Sequence, residues 1–316
     1  MNYSEAVNDA INNQQFDIAL DIYSEWFLNA PAFFQQVKVK GATATHYRNA
    51  ASLARKALYD RVHQQTSVNT RLKKAVDFFF GLVPKQYQHQ LQQPSFFYVP
   101  DLKAQPFYTL AEIPALSELV SQINAFKPEL LTLGQQSYQY YVDSSGPVPN
   151  TNSWQEVKHK WFSTHLLRGD ERTEHVTVKL AECVDLLAHE LVAHCPPHAA
   201  EAFVSSLLPG ADIPPHFGIS NIKLTVHVPL EVNSACWLKA GEETFHWSAD
   251  AAVMIFDDSF LHSAANHSEQ RRDVLIFDIW HPDLTLSERQ AIAHFMSQHQ
   301  LWVEKYGKLA ALDAQI

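Results

Sequence analysis

The stretch NIKLTVHVPL, residues 221–230, decides how the rest of the chain is read. Ile222, Leu224, Val226 and Val228 fall in one phase of a two-residue period, and Lys223, Thr225 and His227 in the other. A strand sends successive side chains to opposite faces. This segment is therefore expected to give one apolar face to a core and one polar face that can carry chemistry. Downstream, residues 251–256 form a short apolar run that ends at Asp257, Asp258 and then His262. Residues 271–281 are a second β-rich run, in which Arg272 shares its phase with Val274, Ile276, Asp278 and Trp280. Short strands broken by Pro209-Gly210, Pro214-Pro215 and Gly241 predict a sandwich or jelly roll.

The polar residues of these strands suggest a metal and an organic acid. His216 follows Pro214-Pro215 at a strand entrance, and His262 stands at another strand end. Two imidazoles brought together from distant strands can form two legs of a non-haem iron site. Arg272 lies ten residues beyond His262, where the next strand can run back beside the metal. A planar, permanently charged fork at that place suits a carboxylate.

At these residues the chain resembles the aspartyl/asparaginyl β-hydroxylase family of Fe(II)/2-oxoglutarate dioxygenases. The resemblance is carried by His216-Phe-Gly-Ile-Ser-Asn221, His227, Ile255-Phe-Asp-Asp-Ser-Phe-Leu-His262, Arg272 and Asp278-Ile-Trp-His-Pro282. It is strong over about 80 residues and begins more loosely near Phe97. It implies a double-stranded β-helix in which His216 and His262 hold Fe(II). Arg272 and Ser205 then bind the far carboxylate of 2-oxoglutarate, and His227 stands at its near, metal-chelating end. Gly218 occupies the place where most dioxygenases of this fold carry a third, carboxylate ligand, and the family leaves that place to water. The family often has arginine where this chain has Thr225. Lys223 stands where a basic residue can face an acidic substrate; its alternative reading is a solvated lysine at the barrel mouth.

The implied reaction uses O2 and 2-oxoglutarate to hydroxylate an unactivated carbon. The expected target is the β-carbon of an aspartyl or asparaginyl residue in a peptide or protein, or a related small acid. Two alternatives stay open: an iron halogenase with halide in the place vacated at Gly218, and a non-catalytic scaffold with a vestigial site.

The remainder of the chain bounds this reading. With 316 residues and 46% hydrophobic content it can fill two modest domains. A formal charge of -10 without a basic run excludes a phosphate-binding face and so nucleic acid. Three scattered cysteines suit a reducing compartment. No apolar run approaches the roughly 18 residues of a membrane span, so a cytoplasmic chain without a membrane partner is expected. Residues 1–90 read as an all-helical domain able to dock a protein partner. Phe16, Ala19, Tyr23, Trp26 and Pro31 fall where a tetratricopeptide pair packs, and the Gln-rich text of residues 86–94 reads as a linker. Residues 91–316 read as the β domain with flanking helices, so the fold class is α+β. Residues 143–152 read as a loop, and Thr285-Leu-Ser-Glu288 as a capping box that opens a C-terminal helix.

One motif is a decoy. His189-Glu-Leu-Val-Ala-His194 resembles a zinc-protease signature, but its histidines are five residues apart, about 140° around the helix expected over residues 176–195. One zinc ion cannot take both.

Overall fold

The computed structural model describes residues 2–29, 42–66, 69–135, 140–141, 151–174, 176–197, 199–248 and 253–310. Pro31 and residues 143–150 of the expected loop lie outside them. Contacts divide the chain into two compact units. One is Met1–Val76 with Ala291–Ile316; the other is Asp77–Gln290.

The first unit is helical: Tyr3–Asn12, Phe16–Asn29, Ala42–Thr66, Thr70–Phe79 up to Val76, and the later turns of Leu286–Ala310. Asn2 caps the first helix by accepting from the Glu5 amide. Tyr23 and Trp26 are buried as the tetratricopeptide pattern expects, but Phe16 is exposed. Trp302 donates its indole N–H to the Ala54 carbonyl at 2.6 Å, and Tyr306 donates to Asp21 at 3.0 Å.

The second unit is built on two antiparallel sheets. Its strands are β1 (Phe107–Tyr108), β2 (Trp161–Arg168), β3 (Glu171–Arg172), β4 (Ala202–Leu207), β5 (Ala211–His216), β6 (Lys223–Glu231), β7 (Cys236–Ala240), β8 (Glu243–His246), β9 (Met254–Phe256), β10 (His262–Asn266) and β11 (Arg272–Trp280). The seven-stranded sheet runs β1-β9-β6-β11-β4-β2-β3 and the four-stranded sheet β5-β10-β7-β8. This is the expected jelly-roll, double-stranded β-helix architecture, and with its helices the fold is α+β.

The two phases of β6 and β11 separate as alternation requires. Leu224, Val226, Val228 and Leu230 join Leu275, Phe277 and Ile279 in a core shared with Leu116, Leu119, Leu180 and Val184 of the helices Pro114–Ile123 and Val178–Leu186. The opposite face of the large sheet gives Phe203, Leu207, Val274 and Ile276 to a second core, together with Ile213, Leu238, Ala240 and Ala264 of the small sheet. Burial of apolar side chains on both faces fixes the register, because a one-residue slip would invert every side chain.

Three expectations are corrected here. The Gln-rich segment is not a free linker: Leu91 and Gln93 exchange backbone hydrogen bonds with Leu261 and Ser259, and buried Gln92 donates to Asp257 at 2.7 Å. The cause is that buried carboxylate, which needs donors that the polar segment supplies. The expected domain boundary at residue 90 accordingly falls inside the second unit, where Phe79 also meets Phe96. The helix expected over residues 176–195 ends at Leu186, so His189 and His194 lie beyond it. His189 accepts from the Leu191 amide and His194 pairs with Asp170 at 2.6 Å, so each local role explains its histidine without a metal.

The capping box forms: Thr285 N–H donates to Glu288, and the Glu288 amide donates to the Thr285 hydroxyl. Among the described residues, no helix is long and apolar enough to cross a membrane.

Candidate active site

A cavity of about 580 Å³ opens between the sheets and takes in the cavity-facing phase of β6, β11, β4 and β5. His216, at the end of β5, and His262, at the start of β10, are direct partners across the strand pair. Their ring centroids stand 4.1 Å apart. Each ring is held by its own strand: His216 Nδ1 lies 2.8 Å from the Pro214 carbonyl and His262 Nδ1 2.9 Å from the Phe260 carbonyl. A carbonyl only accepts, so Nδ1 carries the proton in both rings and the Nε2 lone pairs are left to bind a cation. Burial lowers both imidazoles below their ordinary range, His262 to about 4, which keeps them neutral at physiological pH. Neutral imidazoles with free Nε2 atoms fit a divalent transition metal.

Gly218 lies against the Asp258 carboxylate: a Cβ at this position would meet the Asp258 carboxyl carbon at 2.5 Å, so a larger residue would require that side chain to shift. No group of three or more candidate metal ligands occurs among the described residues.

The inner end of the cavity holds donors and acceptors without partners. Arg272 is 3% exposed, and burial pulls its guanidinium down to about 10, still charged at neutral pH. Among the described residues its Nε has no hydrogen-bond partner, nor has Nδ1 of buried His227. The Ser205 hydroxyl oxygen accepts from the Trp161 indole at 3.0 Å and from Arg272 Nη2 at 3.4 Å. Both neighbours are donors, so the Ser205 proton is directed elsewhere, towards an acceptor. A buried guanidinium with an idle N–H beside a hydroxyl of this kind matches a carboxylate.

The outer wall is different. Lys223, 7% exposed, pairs with Asp278 at 2.8 Å and Asp258 at 3.3 Å. Burial alone would lower its ammonium, but the two carboxylates hold it above its ordinary value. Burial pushes Asp278 up, against the pull of Lys223. Thr225 donates to the same Asp278 oxygen at 3.0 Å. Tyr141, stacked on Trp161 at 3.8 Å, and Trp154, edge-on to His216 at 5.3 Å, make the aromatic side of the cavity.

The family description "Aspartyl/Asparaginyl beta-hydroxylase" matches residues 121–282, just over half of the chain. The chain belongs to this family. Similar proteins include aspartate beta-hydroxylase domain-containing protein 2 of Xenopus tropicalis, 29% identical over 209 residues, covering 64% of this chain and 54% of that protein. Human aspartyl/asparaginyl beta-hydroxylase is 27% identical over 206 residues, covering 63% of this chain and 26% of that protein. The chain thus spans about half, or less, of the length of these relatives. Among solved structures, an oxidoreductase of the 2OG-Fe(II) oxygenase family from Burkholderia pseudomallei aligns with 52% of this chain and 89% of its own, at 10% identity and a TM-score of 0.33.

The six residues singled out in the sequence of this β-hydroxylase family member, Ser205, His216, Lys223, His227, His262 and Arg272, all line the one cavity. Lys223 is not the solvated lysine of the alternative reading, because two carboxylates draw it inside. In the sequence, Asp258 only ends an apolar run and Asp278 only shares a strand phase with Arg272. The phase shared by Arg272 and Asp278 on β11 was the available signal. Trp161 packs in the cavity wall and also fixes the Ser205 hydroxyl. Residues 154–168, whose sequence resembles the family strand that leads to the barrel and can line a substrate mouth, bring His165 and Arg168 to the cavity, where Glu201 lies 3.5 Å from His165 and 4.0 Å from Arg168. His281, within the motif of residues 278–282, has a structural bond, with its Nε2 2.9 Å from the Tyr108 hydroxyl.

Proposed function

We propose that the chain is an Fe(II)/2-oxoglutarate-dependent hydroxylase that oxidises an unactivated carbon of a peptide, protein or small-molecule substrate. The observation that carries the reading is the pairing of two tautomer-fixed imidazoles, His216 and His262, in one cavity with a buried Arg272 whose Nε has no partner. His216 and His262 are the residues that would hold Fe(II) through Nε2. Arg272 and Ser205 would receive the far carboxylate of 2-oxoglutarate, and His227, neutral through burial beside Arg272, would stand at its near end. When bound, iron and the co-substrate supply the oxidising chemistry that no side chain here can perform.

The chain's own residues bind, orient and exclude water. Pro214 and Phe260 carbonyls hold the imidazoles in the ligating tautomer. Trp161 orients Ser205. Tyr141, Trp154 and Phe203 keep the cavity wall apolar, so its interior charges act at low dielectric. The β-carbon of an aspartyl or asparaginyl side chain, which the family description names, sets the first substrates to screen.

The halogenase reading needs halide beside His216. The carboxylate of Asp258 crowds the space next to Gly218 and would repel it. The test of the hydroxylase reading is succinate formation from 2-oxoglutarate, with Fe(II) and O2, across a panel of peptides and amino acids. Succinate that depends on His216 and Arg272 is expected; none from the wild-type chain across the panel would overturn the assignment.

A further inference from the structure

Six side chains that are charged in their ordinary state at neutral pH line the cavity: Arg168, Glu201, Lys223, Asp258, Arg272 and Asp278. Arg272 lies at the inner end with Ser205, and Arg168 stands by Glu201 at the rim. The third cation of the cavity, Lys223, is shared by Asp258 and Asp278. Thr225 stands on the same face of β6, where an arginine would have given that wall a second positive charge, and its hydroxyl is donated to Asp278. Lys223 and Thr225 both use Oδ1 of Asp278, and among the described residues its Oδ2 takes no hydrogen bond. The six charges of the cavity sum to zero, but the group formed by Lys223, Asp258 and Asp278 sets two carboxylates against one ammonium and is formally negative by itself.

We infer that the substrate group received by this wall is a positively charged nitrogen, an ammonium or guanidinium, and that Asp278 and Thr225 select it over a carboxylate. The inference rests on the hydroxylase reading for what happens to the substrate, not for which substrate binds. An incoming carboxylate would find Lys223 already neutralised and would lie against Asp278. An incoming ammonium completes the hydrogen bonding of Asp278 and offsets the excess charge. A carboxamide could use the hydrogen bond but not the charge.

The test is calorimetric binding to the full chain without added metal, so that the readout does not depend on turnover. The probes are capped glycine-serine peptides whose one variable residue is ornithine, asparagine or aspartate. The expected order is ornithine, asparagine, aspartate, with at least a tenfold difference in Kd between the first and last. Asp278→Asn should remove the advantage of ornithine. Thr225→Arg, which keeps the test valid if the first variant does not fold, should reverse the order in favour of aspartate. Aspartate binding as tightly as ornithine, asparagine equalling ornithine, or no binding of any of the three would overturn the inference. Loss of succinate formation with the ornithine preference intact would remove the hydroxylase reading and leave this one standing. Succinate formed preferentially on the aspartate peptide would do the reverse.

Discussion

The two ends of the cavity solve the problem of buried polarity in opposite ways. At the inner end, Arg272 Nε and His227 Nδ1 are buried without partners, at a cost of about 1–3 kcal/mol for each such group. On the outer wall, Lys223, Asp258, Asp278 and Thr225 bond to one another, with Asp258 Oδ1 left over and two carboxylates set against one ammonium. The difference separates two proposed duties. Unpartnered nitrogens suit the arrival of a ligand that completes the structure, whereas a partly compensated charge cluster suits the selection of which ligand is tolerated.

The largest effect that would break this contrast lies at the imidazoles. His216→Ala and His262→Ala should each weaken Fe(II) binding by roughly a hundredfold or more, since even residues that merely orient metal ligands are worth 10–100-fold. Equilibrium titration under anaerobic conditions measures it. Next is Arg272→Met, which should weaken 2-oxoglutarate binding by about 30- to 5000-fold, corresponding to about 2–5 kcal/mol for a desolvated charge pair. The same substitution removes an incompletely bonded buried charge, so the ligand-free protein should unfold at an equal or higher temperature than wild type. Thermal melts with and without 2-oxoglutarate read both halves, and a large loss of ligand-free stability would mean that Arg272 is structural.

The pH dependence of stability sharpens the contrast at smaller scale. Burial and neighbouring His216 put His262 at about 4 when folded, against 6.5 as an unperturbed histidine. Between those values the unfolded chain binds a proton that the folded chain refuses, so stability falls as pH drops from about 6.5 towards 4, with a slope of about 1.4 kcal/mol per pH unit. Asp257, pushed up to about 7 by burial, gives the opposite slope over much of that window, losing stability as pH rises through it. The readout is therefore the difference between wild type and His262→Gln in chemical denaturation at pH 5 and pH 7; the variant should lose relatively less stability on acidification. Last comes the capping box. Thr285→Ala should cost about 1 kcal/mol without changing metal affinity, because it touches only the start of the C-terminal helix.

The strands and the residues His216, His262 and Arg272 could be read directly from the sequence, whereas the roles of Ser205 and His227 came from the family resemblance. Alternation in residues 221–230 and 271–281 assigns faces to Lys223, His227 and Arg272 because a strand's period is two. The pairing of His216 with His262 is a different kind of fact, set by which strands become neighbours, and strand order does not follow from local pattern; the family resemblance supplied it. What stayed hidden were roles made by contact across the chain. Gln92 reads as linker because nothing local reveals the buried Asp257 that it satisfies. Asp278 reads as one more polar residue in phase until Lys223 and Thr225 are seen to converge on it. The helix over residues 176–195 was drawn too long because His189 and His194 fit a helical pattern yet are engaged by loop backbone and Asp170.

The central claim is tested most directly by anaerobic addition of Fe(II) and then 2-oxoglutarate to the full chain, followed by visible absorption. A metal-to-ligand charge-transfer band is expected in wild type, absent from His216→Ala and shifted to much higher 2-oxoglutarate concentration in Arg272→Met. No band in the wild-type protein, or an undiminished band in His216→Ala, would contradict the account.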